Sequence, residues 1–171
     1  MIIRSSTIND LPAIRALYDE AREYFRISGI DQWQSGYPED SIIEGDIKEG
    51  FSYVGIEDGR VVMAFVATTE PDENYVEIDG SWQTSLPYIA IHRVAVSGEC
   101  KGKGYAGEMI KFIEDNLFGD GIKYLRGDTH KDNNSMQRLL IKNGFRPAGE
   151  ITLQSGSDKG AKRVAFDKIV K

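Results

Sequence analysis

Residues 88–107 of this 171-residue chain, YIAIHRVAVSGECKGKGYAG, pass from an apolar strand pattern through a short loop into a helical pattern. The loop carries two lysines and two glycines. Glycine adopts backbone conformations closed to other residues, and the first turn of a helix has unpaired N–H groups at the positive end of its dipole. Gly102 and Gly104 stand at that junction. A strand, a glycine turn and a helix N-terminus in succession form a site for an anionic, phosphate-like group.

The remaining elements follow from apolar periodicity and turn chemistry. Ile2–Arg4 reads as a first strand, and Thr7 as the N-cap of a helix with Asp10 in its first turn. Leu11, Ile14, Tyr18, Ala21 and Phe25 then recur at spacings of three and four until Gly29. An aromatic loop, DQWQSGYP at 31–38, precedes a shorter helix over 39–48. Residues 51–57 and 60–69 form a hairpin across Asp58-Gly59. The stretch 70–85 is irregular, 88–96 is the fourth strand, and a helix covers 105–118 until Gly119 to Gly121 break it. A fifth strand at 122–128, a helix from Asn133 to Lys142 capped by Asn143-Gly144, and strands near 145–153 and 161–169 complete the chain. The order β-α-α-β-β-β-α-β-α-β-β predicts an α+β fold with a mixed sheet, in a single domain spanning residues 1–171.

Composition removes whole classes. No apolar run is long enough for a membrane span, and MIIRSSTIND lacks the core of a signal peptide. The lone Cys100 excludes an internal disulfide and fits the reducing cytoplasm, and no pattern of metal ligands stands out. A net charge of −6 argues against general nucleic-acid binding. It suits a cationic partner better than an anionic one, although most acidic proteins are acidic only for solubility.

Three owners of the glycine loop come into question. A Walker A loop fails, because no register supplies Gly-x-x-x-x-Gly-Lys-Ser/Thr. Gly102 to Gly107 do spell G-x-G-x-x-G, and Asp128 follows about twenty residues later, as a dinucleotide-binding oxidoreductase asks. Against it, Ser97 to Lys101 separate the glycines from the strand, and too little chain follows for a doubly wound sheet. The third reading is a resemblance. Val94-x-Val96 followed by Lys101-Gly102-Lys103-Gly104-Tyr105-Ala106 resembles the acetyl-CoA motif of the GNAT superfamily of N-acetyltransferases, with Lys101 where Arg or Gln is usual. Asn133, followed by Lys142-Asn143-Gly144-Phe145, is similar to that family's second signature, and the element order matches along nearly the whole chain.

The resemblance implies a six- to seven-stranded, mostly antiparallel sheet with about four flanking helices, whose parallel fourth and fifth strands splay apart. It implies an acetyl-CoA co-substrate lying in that gap. The main chain of Val94, Ala95 and Val96 would pair with pantetheine, and Gly102 to Ala106 would hold the pyrophosphate. Lys101 and Lys103 would add charge unless they are ordinary exposed lysines. Asn133 would touch the cofactor or simply cap its helix. The reaction implied is acetyl transfer to an amine by direct attack, in which a base must deprotonate the nucleophile and an N–H must receive the oxyanion.

For these roles the resemblance offers His92 as base, two residues before Val94 and on its face by strand period, and the N–H of Val96 as oxyanion donor. A hydrogen-bonded structural role for His92 is the alternative. Leu140 occupies the place of the family's usual tyrosine acid, with His130 as a substitute candidate. Trp33, Tyr37 and Gln32 are candidates for the acceptor pocket, as are Tyr75, Glu77 and Asp79. The acceptor is an unidentified small-molecule or protein amine, and the family implies a possible homodimer. The missing tyrosine keeps a second reading open, that of an acyl-CoA-binding sensor without turnover.

Overall fold

A computed structural model describes residues 1–119 and 121–170. Asp120, inside the predicted helix break, and Lys171, at the end of the predicted domain, lie outside the described residues. The elements are β1 (Ile2–Ser5), α1 (Leu11–Ile27), α2 (Asp40–Lys48), β2 (Ser52–Glu57), β3 (Arg60–Thr68), β4 (Asp79–Gly80), β5 (Ile89–Val96), α3 (Tyr105–Asn116), β6 (Tyr124–Thr129), α4 (Asn134–Lys142), β7 (Arg146–Thr152) and β8 (Lys162–Ile169). They form one eight-stranded mixed sheet in the order β1-β2-β3-β5-β6-β8-β7-β4. The predicted α+β class holds. The additional strand is β4, two residues inside the stretch read as irregular, which pairs with Gly149 and Glu150 of β7. The predicted fourth and fifth strands are therefore β5 and β6.

Local chemistry explains the element boundaries. Asp58 and Gly59 both take positive φ (50° and 76°), as a tight two-residue hairpin turn requires. Thr7 caps a single 3-10 turn at Ile8–Asp10, which leads into α1, with Pro12 in the first turn where its missing N–H costs nothing. Asn133 caps α4 by accepting the N–H of Met136 at 3.2 Å.

Two cores lie on opposite faces of the sheet. Helices α1 and α2 bring Ile14, Leu17, Phe25 and Ile43 against Val54 and Ala64. Helices α3 and α4 bring Met109, Ile110, Ile113 and Leu140 against Met63, Phe65, Ile89 and Leu125. The alternation of Met63, Ala64 and Phe65 between the two cores is the period of two that a strand covered on both faces must show. Beyond β6, Tyr75 packs on Ala90, Ala148 and Ala165 in a third, smaller core, so the 70–88 segment covers the sheet where no helix does. Arg126 is clamped there, with its guanidinium 4.1 Å from the ring centres of both Trp82 and Tyr88.

Asp10 ties β1 to the start of α1. It accepts two hydrogen bonds from Arg4, at 2.8 and 2.9 Å, and one from the Thr7 N–H at 2.7 Å. The Arg4 bonds, working against burial, hold its carboxyl down to about 2. A carboxyl whose folded-state pKa is depressed stabilises the fold above its unfolded value of about 4, and that contribution is lost as pH falls toward 2. Asp10→Asn is expected to cost roughly 1–2 kcal/mol at neutral pH, below the full shift because Arg4 reaches solvent. Urea unfolding of both proteins between pH 7 and 3 should show the gap narrowing below pH 4. A gap that stays constant to pH 3 would remove Asp10 as the titrating group.

Candidate active site

Strands β5 and β6 run parallel, but only Ile89, Ala90 and Ile91 pair, with Leu125, Arg126 and Gly127. Beyond that point the strands diverge. The cause lies on the other edge of β5. Its register with β3 runs Val66↔His92 and then Ala64↔Ala95, so Arg93 and Val94 together oppose the single residue Phe65. This is a β-bulge, which bends a strand and ends its regular pairing. Arg93 takes φ +50°, a conformation costly for a residue with a Cβ. Its guanidinium is held by both carboxylate oxygens of Asp46 in α2, at 2.8 and 2.7 Å, and by the Tyr37 hydroxyl. Burial disfavours the charge on Arg93, but Tyr37 and Asp46 outweigh it, and the arginine remains firmly cationic.

The extra residue also shifts the phase of the strand. Ile89 and Ile91 face the α3 core before the bulge, whereas Val94 and Val96 pack against it afterwards. His92 therefore does not share the face of Val94, as strict alternation predicted. It points to the opposite side, toward Asp72 and Tyr75.

A cavity opens on each side of the divergence. One, of about 470 Å³, follows β5 to the glycine loop and α4. Val94, Ala95, Val96, Lys101 and Gly102 line it, as do Gly104, Tyr105, Ala106 and Asn133. The Ser97 N–H pairs with Val62 on β3, so by strand alternation Val94 and Val96 turn their N–H and C=O groups away from β3, to the open side. Gly102 and Gly104 take φ +83° and +85°, and the helical N–H groups of Tyr105 and Ala106 follow at once. Lys101 lies over the Tyr24 ring on the groove wall, and Arg138 and Lys142 add charge from α4. Lys103 departs from expectation. It turns outward to Glu57 at 3.1 Å and does not line the groove, and the Tyr105 hydroxyl also donates to Glu57.

The second cavity, of about 500 Å³, is walled by Trp33, Tyr37 and Gln32 from the loop after α1, with His92 on its floor. Trp33 holds φ +61°. His92 Nε2 lies 3.2 Å from Asp72 Oδ2. Burial raises the Asp72 carboxyl, but His92 and the Asn74 N–H outweigh it, and the net displacement is downward. Asp128 is the residue after the last paired position of β6, so it stands across the divergence from His92. Burial pushes its carboxyl up, against the pull of His92 and of the hydrogen bond from the Tyr75 hydroxyl at 2.7 Å.

Four expected pocket or catalytic residues lie elsewhere. Tyr75 is buried behind Asp128 rather than exposed to the cavity. Glu77 is exposed outside both cavities, and Asp79 belongs to β4, because a 3-10 turn at Glu73–Tyr75 breaks the alternation that would have aligned them. His130 accepts the Asp132 N–H at 3.1 Å in the turn before α4 and lines neither cavity. Sequence reading missed Asp72 and Asp46. Asp72 sat in a stretch without periodicity, and the role of Asp46 depends on a bulge that strand alternation does not announce. Among the described residues no group of three or more His, Cys, Asp or Glu side chains is placed to hold a metal, and no helix is long and apolar enough to cross a membrane.

A mixed sheet with one parallel pair is not the doubly wound sheet of a dinucleotide-binding domain, so the literal G-x-G-x-x-G is coincidental. The sheet splits after this parallel pair, beside a helix whose N-cap is a left-handed glycine. The Acetyltransferase (GNAT) family pattern matches residues 14–145, and the chain belongs to that family. It is similar to the crystal structure of a GNAT family acetyltransferase from Streptococcus agalactiae, at 34% identity over 99% of this chain and 95% of that one, with a TM-score of 0.88. A GNAT family acetyltransferase from Listeria monocytogenes shares 22% identity over 99% and 94% of the two chains, with a TM-score of 0.71. The GNAT-like decarboxylase GphF, solved with isobutyryl-CoA, has the same fold at 14% identity over the full length of both chains and a TM-score of 0.72. None of the curated proteins compared matches the chain. The family implies an acyl-CoA co-substrate, and the free strand edge, glycine turn and basic side chains of the 470 Å³ groove fit one.

The bulge clamp is testable by itself. Asp46→Asn keeps the shape but leaves the Arg93 guanidinium without its anion, and both side chains are at most 15% exposed. Chemical denaturation should show a loss of about 3 kcal/mol. Unchanged stability would mean that the ion pair does not hold the bulge.

Proposed function

We propose that the protein transfers an acetyl group from acetyl-CoA to a primary amine, by direct attack in a ternary complex at the β5/β6 divergence. The observation that carries this reading is the meeting of the two cavities. Phe25, Val94, Asn133 and Met136 line both, so a thioester entering along β5 and an amine entering from the far side would reach one another only there. Holding two reactants at such a point converts a bimolecular reaction into an effectively intramolecular one.

The residues on the acceptor side suit a cationic amine. Asp72 and Asp128 flank His92, whereas the two arginines lining the cavity are already occupied, Arg93 by Asp46 and Arg163 by Asp158 at 3.1 Å. The carboxylates attract an ammonium, which must then lose a proton to become a nucleophile. His92 Nε2 faces Asp72 at 3.2 Å, and Nδ1 is the nitrogen we assign to take that proton. The N–H of Val94 or Val96 faces the developing oxyanion. Leu140, in place of a tyrosine acid, is buried on the cavity wall and donates nothing. The CoA sulfur therefore departs as thiolate, a tolerable leaving group with an ordinary pKa of about 8.5.

Release of free thiol from acetyl-CoA, followed over a panel of small amines, polyamines, amino acids and peptides, tests the reading. Release with no amine above the hydrolysis rate would favour an acyl-CoA-binding sensor. With an active amine, His92→Gln is expected to lower kcat by about 10²–10³-fold and to abolish the limb of the rate profile that rises with pH. Its acetyl-CoA affinity by calorimetry should be unchanged. A variant with an unaltered pH profile would remove His92 as the base. Gly104→Ala should do the reverse: with φ +85° denied, acetyl-CoA affinity falls at least tenfold. Wild-type affinity in that variant would take the phosphate site away from this loop.

A further inference from the structure

Gln32 is more than nine-tenths buried on the wall of the acceptor cavity, and a chain of hydrogen bonds fixes which way its amide points. The Met136 N–H at the start of α4 can only donate, so the Asn133 oxygen at 3.2 Å accepts it. Asn133 therefore presents its Nδ2 donor to Gln32, and the Gln32 oxygen accepts it at 3.1 Å. The Thr129 hydroxyl, 3.4 Å from the same oxygen, adds a second donor. With Oε1 held in this way, Nε2 is the free end of the amide. Among the described residues it donates to nothing and it keeps contact with solvent, on a residue that lines the cavity. A donor held in one orientation, reached by solvent and without a protein acceptor, is placed to serve a ligand.

The position of the amide narrows the choice of ligand atom. Gln32 bonds directly to Asn133, one of the four residues shared by the two cavities, and to Thr129 at the end of β6. It therefore stands on the β6 side of the divergence, opposite the bulged backbone of β5. We infer that the Gln32 amide N–H is a second donor to the carbonyl oxygen of the transferring acyl group, closing an oxyanion site from the side facing β5. This rests on the transferase reading above. The amine nitrogen forms the C–N bond with its lone pair, and the carbonyl π pair moves onto oxygen, where the Gln32 N–H and the β5 N–H meet it. Collapse restores C=O and expels sulfur with the C–S pair, and nitrogen gives its surplus proton to solvent, His92 already holding the one taken before attack. Gln32 strengthens its bond as charge builds on oxygen, so it lowers the barrier rather than tightening the ground state.

Gln32→Glu tests this with the local structure kept, because a carboxylate oxygen still accepts from Asn133 and Thr129 while the donor is gone. Gln32→Met removes the donor without adding charge. Both variants are expected to lose about 10²-fold in kcat, with the acceptor KM and the acetyl-CoA Kd within about threefold of wild type. Isotope-edited infrared spectra of bound acetyl-CoA, labelled with ¹³C at the carbonyl, should show the stretch at higher frequency in both variants than in wild type. A carbonyl band that neither variant moves, or a loss confined to the acceptor KM, would overturn the assignment. The infrared measurement needs no acceptor, so it judges Gln32 even if no amine is found. Failure of the wild type to bind acetyl-CoA would overturn the transferase reading and this one together.

Discussion

One surplus residue in β5 sets the geometry of the site. With Arg93 and Val94 facing a single partner on β3, the strand bends, its pairing with β6 stops after three residues, and its inward and outward faces exchange. Everything at the site follows from that exchange. Val94 and Val96 come to lie with a free main-chain edge toward one cavity, while His92 stays on the face toward the other. The bulge is held by a buried ion pair reaching from α2, so the helix that walls the acceptor side also fixes the strand that serves the cofactor side. A left-handed non-glycine residue at such a point is backbone strain kept in place by its surroundings.

The two sides of the divergence differ in the groups they present. The groove proposed for the cofactor presents main-chain groups: strand edges, a glycine turn and the first N–H groups of α3, with lysine and arginine side chains around them. Such a site tolerates apolar side chains, which is why Val-Ala-Val can line it. The cavity proposed for the acceptor presents side chains. Asp72, Asp128, His92 and Gln32 come from four different segments, and each is oriented by a further partner: Asn74, Tyr75, Asp72 and Asn133 respectively. A decarboxylase shares this fold, so the chemistry follows from those side chains and not from the sheet.

Much of this was legible in the sequence, and the limits have physical causes. Helix faces, the Asp58-Gly59 turn and the Gly102/Gly104 junction are local features, and they stood where periodicity and turn chemistry placed them. The residues that the family resemblance assigned to the cofactor line the groove, apart from Lys103, whose flexible side chain found Glu57 on a strand distant in sequence. The acceptor side was less legible. Tyr75, Glu77 and Asp79 looked like one alternating face, but the 3-10 turn at 73–75 removed the alternation. The pairing of His92 with Val94 on one face failed at the bulge, which only the β3 register reveals. Asp46, Asp72 and Asp128 are held by contacts across 47, 20 and 53 residues of chain, and no local pattern marks such contacts.

The central claim is that the diverging edge of β5 is the cofactor's binding strand. Residue-resolved amide hydrogen exchange, measured with and without saturating acetyl-CoA, tests it most directly. The account predicts that the N–H groups of Val94 and Val96 become strongly protected on binding, while that of Ala95, which already points to β3, changes little. Acetyl-CoA binding that leaves Val94 and Val96 exchanging as fast as before would contradict it.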